Sequence, residues 1–283
     1  MREIKYEDIV KSIKDCIIFS GANLPKDALE KMNEAYENEK SPVAKEVLKQ
    51  LIKNADIASS EEKPLCQDTG LAVFFVKVGE DVKVIGGTLK AAINEGTEKG
   101  YIDGYLRAST CEWDTRANLK DTLGYNLPAF IHFDLVKGDE LTIEYAAKGG
   151  GSENVSRATV MPPAAGRKGV IDYVKKIVSN AGPNPCPPLT VGVGIGGTFE
   201  KAVISSKHAL FRKLGSVNED PTLKEMEEEL VEELNKLGIG AMGMGGTQTV
   251  FGVHIEKNPC HIASLPVSVN VQCHSSRHAV IKL

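Results

Sequence analysis

Apolar residues recur along the chain with two periods, and the change of period marks where one kind of structure gives way to another. Ile9, Ile13, Cys16 and Ile17 fall at i, i+4, i+7 and i+8, which predicts an amphipathic helix. Ser41 followed by Pro42 is a helix start, because proline at the first helical position loses no hydrogen bond that the helix would use. Val43, Val47, Leu48, Leu51, Ile52 and Ala55 are assigned to the buried face of that second helix. Residues 71–78 then read as a buried strand, 87–99 as a helix, and 129–136 and 140–146 as strands joined, hairpin-fashion, by a Lys137-Gly138-Asp139 turn. Residues 170–178 read as a helix and 189–193 as a strand. The clearest helix covers 222–237, with Leu223, Met226, Leu230, Leu234 and Leu237 on one side and Gly238 placed to end it. The remaining C-terminal stretch reads as strands. The expectation is an α/β or α+β mixed fold: a helical N-terminal section over about residues 1–60, then mixed β-sheets covered by helices over about 61–283. No proline- or serine-rich linker interrupts it, so 1–283 reads as a single domain.

Composition adds limits. The 283 residues are 42% hydrophobic and 25% charged, as in globular proteins that bury a core. A net charge of -4 gives no reason to expect nucleic acid or an anionic membrane as partner. No apolar stretch approaches the roughly 20 residues that cross a bilayer. The charged start Met1-Arg2-Glu3-Ile4-Lys5 lacks a signal-peptide core. A cytoplasmic protein is expected, whose six cysteines are reduced and more suited to metal binding or catalysis than to disulfides.

Candidate chemistry concentrates at three of those cysteines. In Leu65-Cys66-Gln67-Asp68-Thr69-Gly70 a thiol, an amide, a carboxylate and a hydroxyl precede a predicted strand. Cys186 stands in Asn184-Pro185-Cys186-Pro187-Pro188, and Cys273 in Val271-Gln272-Cys273-His274-Ser275-Ser276-Arg277. Cys16 belongs to an apolar helix stripe and reads as core. Cys111 and Cys260 are ambiguous by the same reasoning. Three thiolates suit an iron–sulfur cluster with one open iron, a Lewis acid for adding or removing water. Arg107, in Leu106-Arg107-Ala108-Ser109, is a candidate fork for a substrate carboxylate, with Arg157 and Arg277 as others. Two readings compete. Gly192-Val193-Gly194-Ile195-Gly196-Gly197 matches a dinucleotide fingerprint, but the acidic residues that follow, Glu219 and Asp220, lie in a polar run rather than at a strand end. Zinc would want C-x-x-C or H-E-x-x-H, and neither occurs. The glycine runs Gly194-Ile195-Gly196-Gly197-Thr198 and Gly243-Met244-Gly245-Gly246-Thr247 echo one another, and each offers either N–H groups for an anion or room for close packing.

Taken with Leu106-Arg107-Ala108-Ser109, Lys148-Gly149-Gly150-Gly151-Ser152-Glu153-Asn154 and His261, the three cysteine motifs resemble those of class I, iron–sulfur-dependent fumarate hydratases, in the same order along the chain. The chain is most similar to the α-subunit of the two-subunit form, to which L-tartrate dehydratase α-subunits are similar. The resemblance implies a [4Fe-4S] cluster on Cys66, Cys186 and Cys273 and reversible hydration of fumarate to (S)-malate. It implies that Gln67, Asp68, Arg107 and Gly150 contact the dicarboxylate, and that Asp68 and His261 act on the hydroxyl. It also implies a β-subunit that carries the proton-abstracting base and further carboxylate-binding residues, in an α2β2 or similar assembly. A non-enzymatic alternative is an iron–sulfur redox sensor.

Overall fold

The computed structural model describes all 283 residues. In chain order the elements are β1 (Arg2–Lys5), α1 (Tyr6–Ala22), α2 (Lys26–Asn38), α3 (Pro42–Ser60), β2 (Leu71–Gly79), β3 (Val82–Ile85), α4 (Leu89–Asp103), β4 (Phe130–Val136), β5 (Leu141–Lys148), α5 (Gly150–Glu153), β6 (Arg157–Met161), α6 (Gly166–Ala181), β7 (Leu189–Gly197), α7 (Phe199–His208), α8 (Pro221–Asn235), β8 (Val250–Cys260), β9 (Leu265–Gln272) and β10 (His278–Lys282). The fold is mixed α/β, as expected, and none of its helices is long and apolar enough to cross a membrane. The chain divides into two compact units. One contains Met1–Pro25, Asn54–Gly149 and Arg277–Leu283, and the other Lys26–Lys53 and Gly150–Ser276.

The first unit is built on a four-stranded sheet of order β10-β5-β2-β4. Here the sequence reading of β4 and β5 as a hairpin is corrected. β2 lies between them, antiparallel to β5 and parallel to β4. The Gly138 turn therefore has to cross the end of β2. It can do so because Gly79 has no side chain: a Cβ there would stand 2.4 Å from the Gly138 carbonyl oxygen. Apolar side chains of β2 and β5, including Phe74, Val76, Ile143 and Tyr145, form the core with Ile9, Ile13 and Ile17 of α1 and Ile93 and Tyr101 of α4. Gly96 and Gly100, four residues apart on α4, present bare backbone to Ile13 and Ile17, so α1 and α4 pack closely.

The second unit carries the sheet β6-β9-β7-β8. Alternation along β7 explains its glycines. Leu189, Val191 and Val193 join a core with Val174 of α6 and Leu230 and Leu234 of α8. On the other face, a Cβ at Gly192 would lie 2.1 Å from the Ser206 carbonyl oxygen, and one at Gly194 would lie 2.0 Å from that of Ala202. These glycines let α7 lie directly on the strand, which accounts for the dinucleotide-like spacing by packing alone. The second echo does bind an anion, but the anion is internal. The backbone N–H groups of Thr247 and Gln248 donate to the buried Glu39 carboxylate at 2.9–3.1 Å, as do those of Lys40 and Ser41 at 2.8 and 2.9 Å.

Local signals fared unevenly. α8 starts where Asp220 accepts from the Thr222 and Leu223 N–H groups, and Gly238, at φ +66°, follows its end. On α3 Leu48 and Ala55 are buried as assigned and Val47, Leu51 and Ile52 are half-buried, whereas Val43 is 60% exposed. Ala44 and Ala58, which carry too little apolar surface to stand out in the sequence, complete the buried face.

His254, on β8, is 2% exposed, and its Nδ1 lies 3.1 Å from the Ala209 carbonyl oxygen. Burial, reinforced by the Arg212 cation, pushes its pKa down from 6.5 to about 4. The folded protein thus binds fewer protons than the unfolded chain between these values. Its contribution is fully present above pH 6.5 and is lost as pH falls toward 4, by about 3 kcal/mol. Urea midpoints measured from pH 7 to pH 4 are expected to fall, and less steeply in His254→Gln.

Candidate functional site

In the first unit the candidate residues gather on the segment that enters β2. Two backbone anchors fix its start: the Leu65 N–H donates to the Gly21 carbonyl at 2.9 Å, and the Asn54 amide donates to the Leu65 carbonyl at 3.0 Å. Cys66 is half-buried and Gln67 exposed, with the thiol 3.4 Å from the Gln67 amide oxygen. Asp68 turns back on its own chain, where its Oδ1 accepts from the Gly70 N–H at 3.0 Å. A Cβ on Gly149 would stand 3.0 Å from Asp68 Oδ2, so the bare glycine makes room for the carboxylate. Gly70, at φ +78°, would drive a Cβ to 2.9 Å from the Lys148 nitrogen, so only glycine fits the entry to β2.

Thr69 and Asn126 tie this segment to Arg107. The Thr69 hydroxyl accepts from the Arg107 N–H at 2.9 Å. Asn126 is fully buried at φ +60°. It donates to the Gly70 carbonyl at 3.2 Å and accepts from the Ser109 N–H at 2.7 Å. The Tyr101 hydroxyl donates to the same carbonyl at 3.0 Å. The Cys66-Gln67-Asp68 run and the Leu106-Arg107-Ala108-Ser109 run are thereby held side by side, with the Arg107 side chain exposed. Neither Asn126 nor Tyr101 is marked in the sequence, because their hydrogen bonds reach partners distant along the chain. Asn126 does precede a proline by two residues and adopts a left-handed backbone, which only the structure reveals. Arg277 is 2% exposed, and its buried Nε has no hydrogen-bond partner. Arg157 is exposed and donates to the Asn154 and Ser156 carbonyls, both at 2.7 Å.

In the second unit Cys186 and Cys273 come together through the backbone. Cys186 adopts φ +55°, a costly conformation for a residue with a side chain. It is held there by its own N–H donating to the Pro183 carbonyl at 3.0 Å, while its carbonyl accepts from the His274 N–H at 3.2 Å and lies 3.0 Å from His274 Nδ1. Cys273 follows the last residue of β9 and is therefore adjacent to this clamp. Gly150 opens α5, a single helical turn, and a Cβ on the next residue, Gly151, would lie 3.0 Å from the Asn184 carbonyl oxygen.

His261 does not join them. It follows Cys260 at the end of β8 and precedes β9, whereas Cys273 leaves the other end of that strand. Seven residue steps of extended chain separate the two ends by about 23 Å. His261 is exposed, its Nδ1 accepts from the Ala263 N–H at 3.1 Å, and it lines a groove of about 330 Å³ with Arg167, Ile195, Met226 and Cys260.

Three thiols are the donor chemistry of an iron–sulfur cluster. Cys66, Cys186 and Cys273 form no disulfide and are half-buried, Cys273 directly after β9 and Cys66 and Cys186 in irregular chain. Cys16 is different: burial pushes its thiol up to about 11, against ionisation and metal binding. Cys260 is exposed, and Cys111 lies in an isolated bridge to Asn118. No three His, Cys, Asp or Glu side chains converge as they would on a single ion. A cubane does not require that, since each of its ligand sulfurs binds a different iron.

The family profile described as "Fumarate hydratase (Fumerase)" matches residues 10–282. The chain is 38% identical to a Methanocaldococcus jannaschii protein provisionally named L(+)-tartrate dehydratase subunit alpha, over 99% of this chain and 98% of that protein. It is 33% identical to the L(+)-tartrate dehydratase subunit alpha of Escherichia coli strain UTI89, over 92% of this chain and 86% of that protein. The corresponding subunit of strain K12 is 32% identical over 91% of this chain and 85% of that protein.

Proposed function

Because the chain belongs to the class I fumarate hydratase family, a family of hydro-lyases, we propose that it is the cluster-bearing α-subunit of an enzyme hydrating fumarate reversibly to (S)-malate. The observation that carries the reading is the clamped pair of runs in the first unit, which aligns a thiol, an amide and a carboxylate beside an exposed arginine. Cys66, Cys186 and Cys273 would hold a [4Fe-4S] cluster. When bound, that cluster supplies a Lewis-acidic iron for the hydroxyl group that is added or removed.

The chain's own residues do the rest. Arg107 pairs with a substrate carboxylate, and the Gln67 amide and Gly150 N–H fix the dicarboxylate's orientation. Asp68, whose Oδ1 accepts the Gly70 N–H, is assigned to the hydroxyl, whose proton it holds or releases. His261 enters the same step on family resemblance. Lying at the far end of β9 from Cys273, it would serve a site on a second copy of the chain. The base that takes the carbon-bound proton is assigned to a β-subunit, in keeping with the relatives' designation as alpha subunits, in an α2β2 or similar assembly in the cytoplasm.

A second reading, L(+)-tartrate as substrate, is supported by the names of the relatives. The test is Arg107→Ala in the two-chain enzyme, assayed with fumarate and with tartrate. KM for the true substrate is expected to rise about tenfold to a hundredfold with kcat within about threefold, the loss of one charge-assisted contact. Unchanged values of both parameters would remove Arg107 from the site.

A further inference from the structure

We propose that β4 is a contact between two copies of this chain, paired edge to edge about a two-fold axis at Phe133. β4 is the outer strand of its sheet, hydrogen-bonded only to β2. Edge strands are ordinarily guarded by charges, prolines or bulges. This one instead exposes large apolar side chains: Phe130 is 46% exposed, Phe133 48% and Leu135 80%. Ile131, Phe133 and Leu135 share the face on which Phe74 and Val76 of β2 are buried, and Ile131 packs against that core. Along this row the core thins out toward Leu135, and a neighbouring strand would continue it.

The occupant follows from the order of residues. Two identical strands paired antiparallel by a two-fold axis normal to the sheet keep their faces, so the axis must pass beside a residue that meets itself. Centred on His132, the pairing sets Phe130 against Asp134. Centred on Asp134, it opposes two like carboxylates. Centred on Phe133, it sets Phe133 against Phe133, Ile131 against Leu135, Phe130 against Val136, and His132 against Asp134 twice over. Every apolar residue then meets an apolar one, and each acid meets a potential cation. On the same face the His132 ring stacks on Phe75 of β2, centroids 4.8 Å apart. Such self-complementarity in one register is what an isologous contact requires, and an unrelated partner would have no cause to match it.

The test is sedimentation equilibrium of the full chain, which reads association without activity. Failure of the hydro-lyase reading therefore leaves it intact, and its own failure leaves that reading intact. The wild-type chain is expected to dimerise. Phe133→Lys, placing like charges on the axis, is expected to weaken the dimer at least about thirtyfold. His132→Glu and Asp134→Lys are each expected to weaken it about tenfold, and the double substitution to restore it, since acid again meets base. Restoration also excludes misfolding as the cause. A dimer indifferent to Phe133→Lys, a double variant as weak as the singles, or a monomeric chain whose β4 is covered only when the β-subunit is added would each overturn the proposal.

Discussion

Cys186→Ser is expected to leave the anaerobically reconstituted chain without its visible cluster absorbance and the two-chain enzyme without hydration activity. Cys66→Ser and Cys273→Ser are expected to do the same. Three thiolates would leave one of four irons open, and serine is a poor replacement for a soft ligand. The backbone at Cys186 gives the sharper form of this expectation. A non-glycine residue at φ +55° persists only when its surroundings hold it, and here two His274 groups and the Pro183 carbonyl do so. The strain is borne where a sulfur must point in one direction. Cys111→Ser and Cys260→Ser are expected to retain full iron and sulfide. Retention by Cys186→Ser would reassign the ligand.

The largest effect on stability is expected at Glu39. Its carboxylate gathers the N–H groups of Lys40, Ser41, Thr247 and Gln248, and the Thr247 hydroxyl lies 3.2 Å from it. Burial raises the carboxyl's pKa, but donation from Ser41, Thr247, Lys40 and Gln248 more than offsets it, so the group sits below 4.5. A depressed carboxyl stabilises the fold fully above its unfolded value and loses that contribution as pH falls through the lowered one. Glu39→Ala strands several donors at once and is expected to cost about 3 kcal/mol in urea unfolding, with Glu39→Gln, which keeps one acceptor oxygen, costing about half as much. A Glu39→Ala midpoint equal to wild type would mean that water replaces the carboxylate at no cost.

These two sites show what was legible in the chain and what was not. The cysteine motifs could be read because each combines residue types that seldom occur together without chemistry. The glycine echoes could not be separated in sequence: one run gives α7 room on β7, the other cradles Glu39, and the difference lies in partners about 10 to 200 residues away. The same limit concealed Asn126, whose contacts span 17 and 56 residues. Periodicity located α8 and the stripe of α1, where large apolar side chains mark the buried face. On α3 it located Leu48 and Ala55 but also took in the exposed Val43, and it paired β4 with β5, because nothing local announces that β2 will lie between them.

If this chain carries the water-handling half of a dicarboxylate hydro-lyase, each chain alone is inactive. The measurement is to reconstitute the chain anaerobically with iron and sulfide, add the β-subunit, and follow fumarate and L(+)-tartrate consumption for each chain alone and for both. Consumption of a dicarboxylate is expected only when both chains and the cluster are present. Turnover by either chain alone, or none of either substrate by the fully loaded pair, would show that the chemistry is not divided in this way.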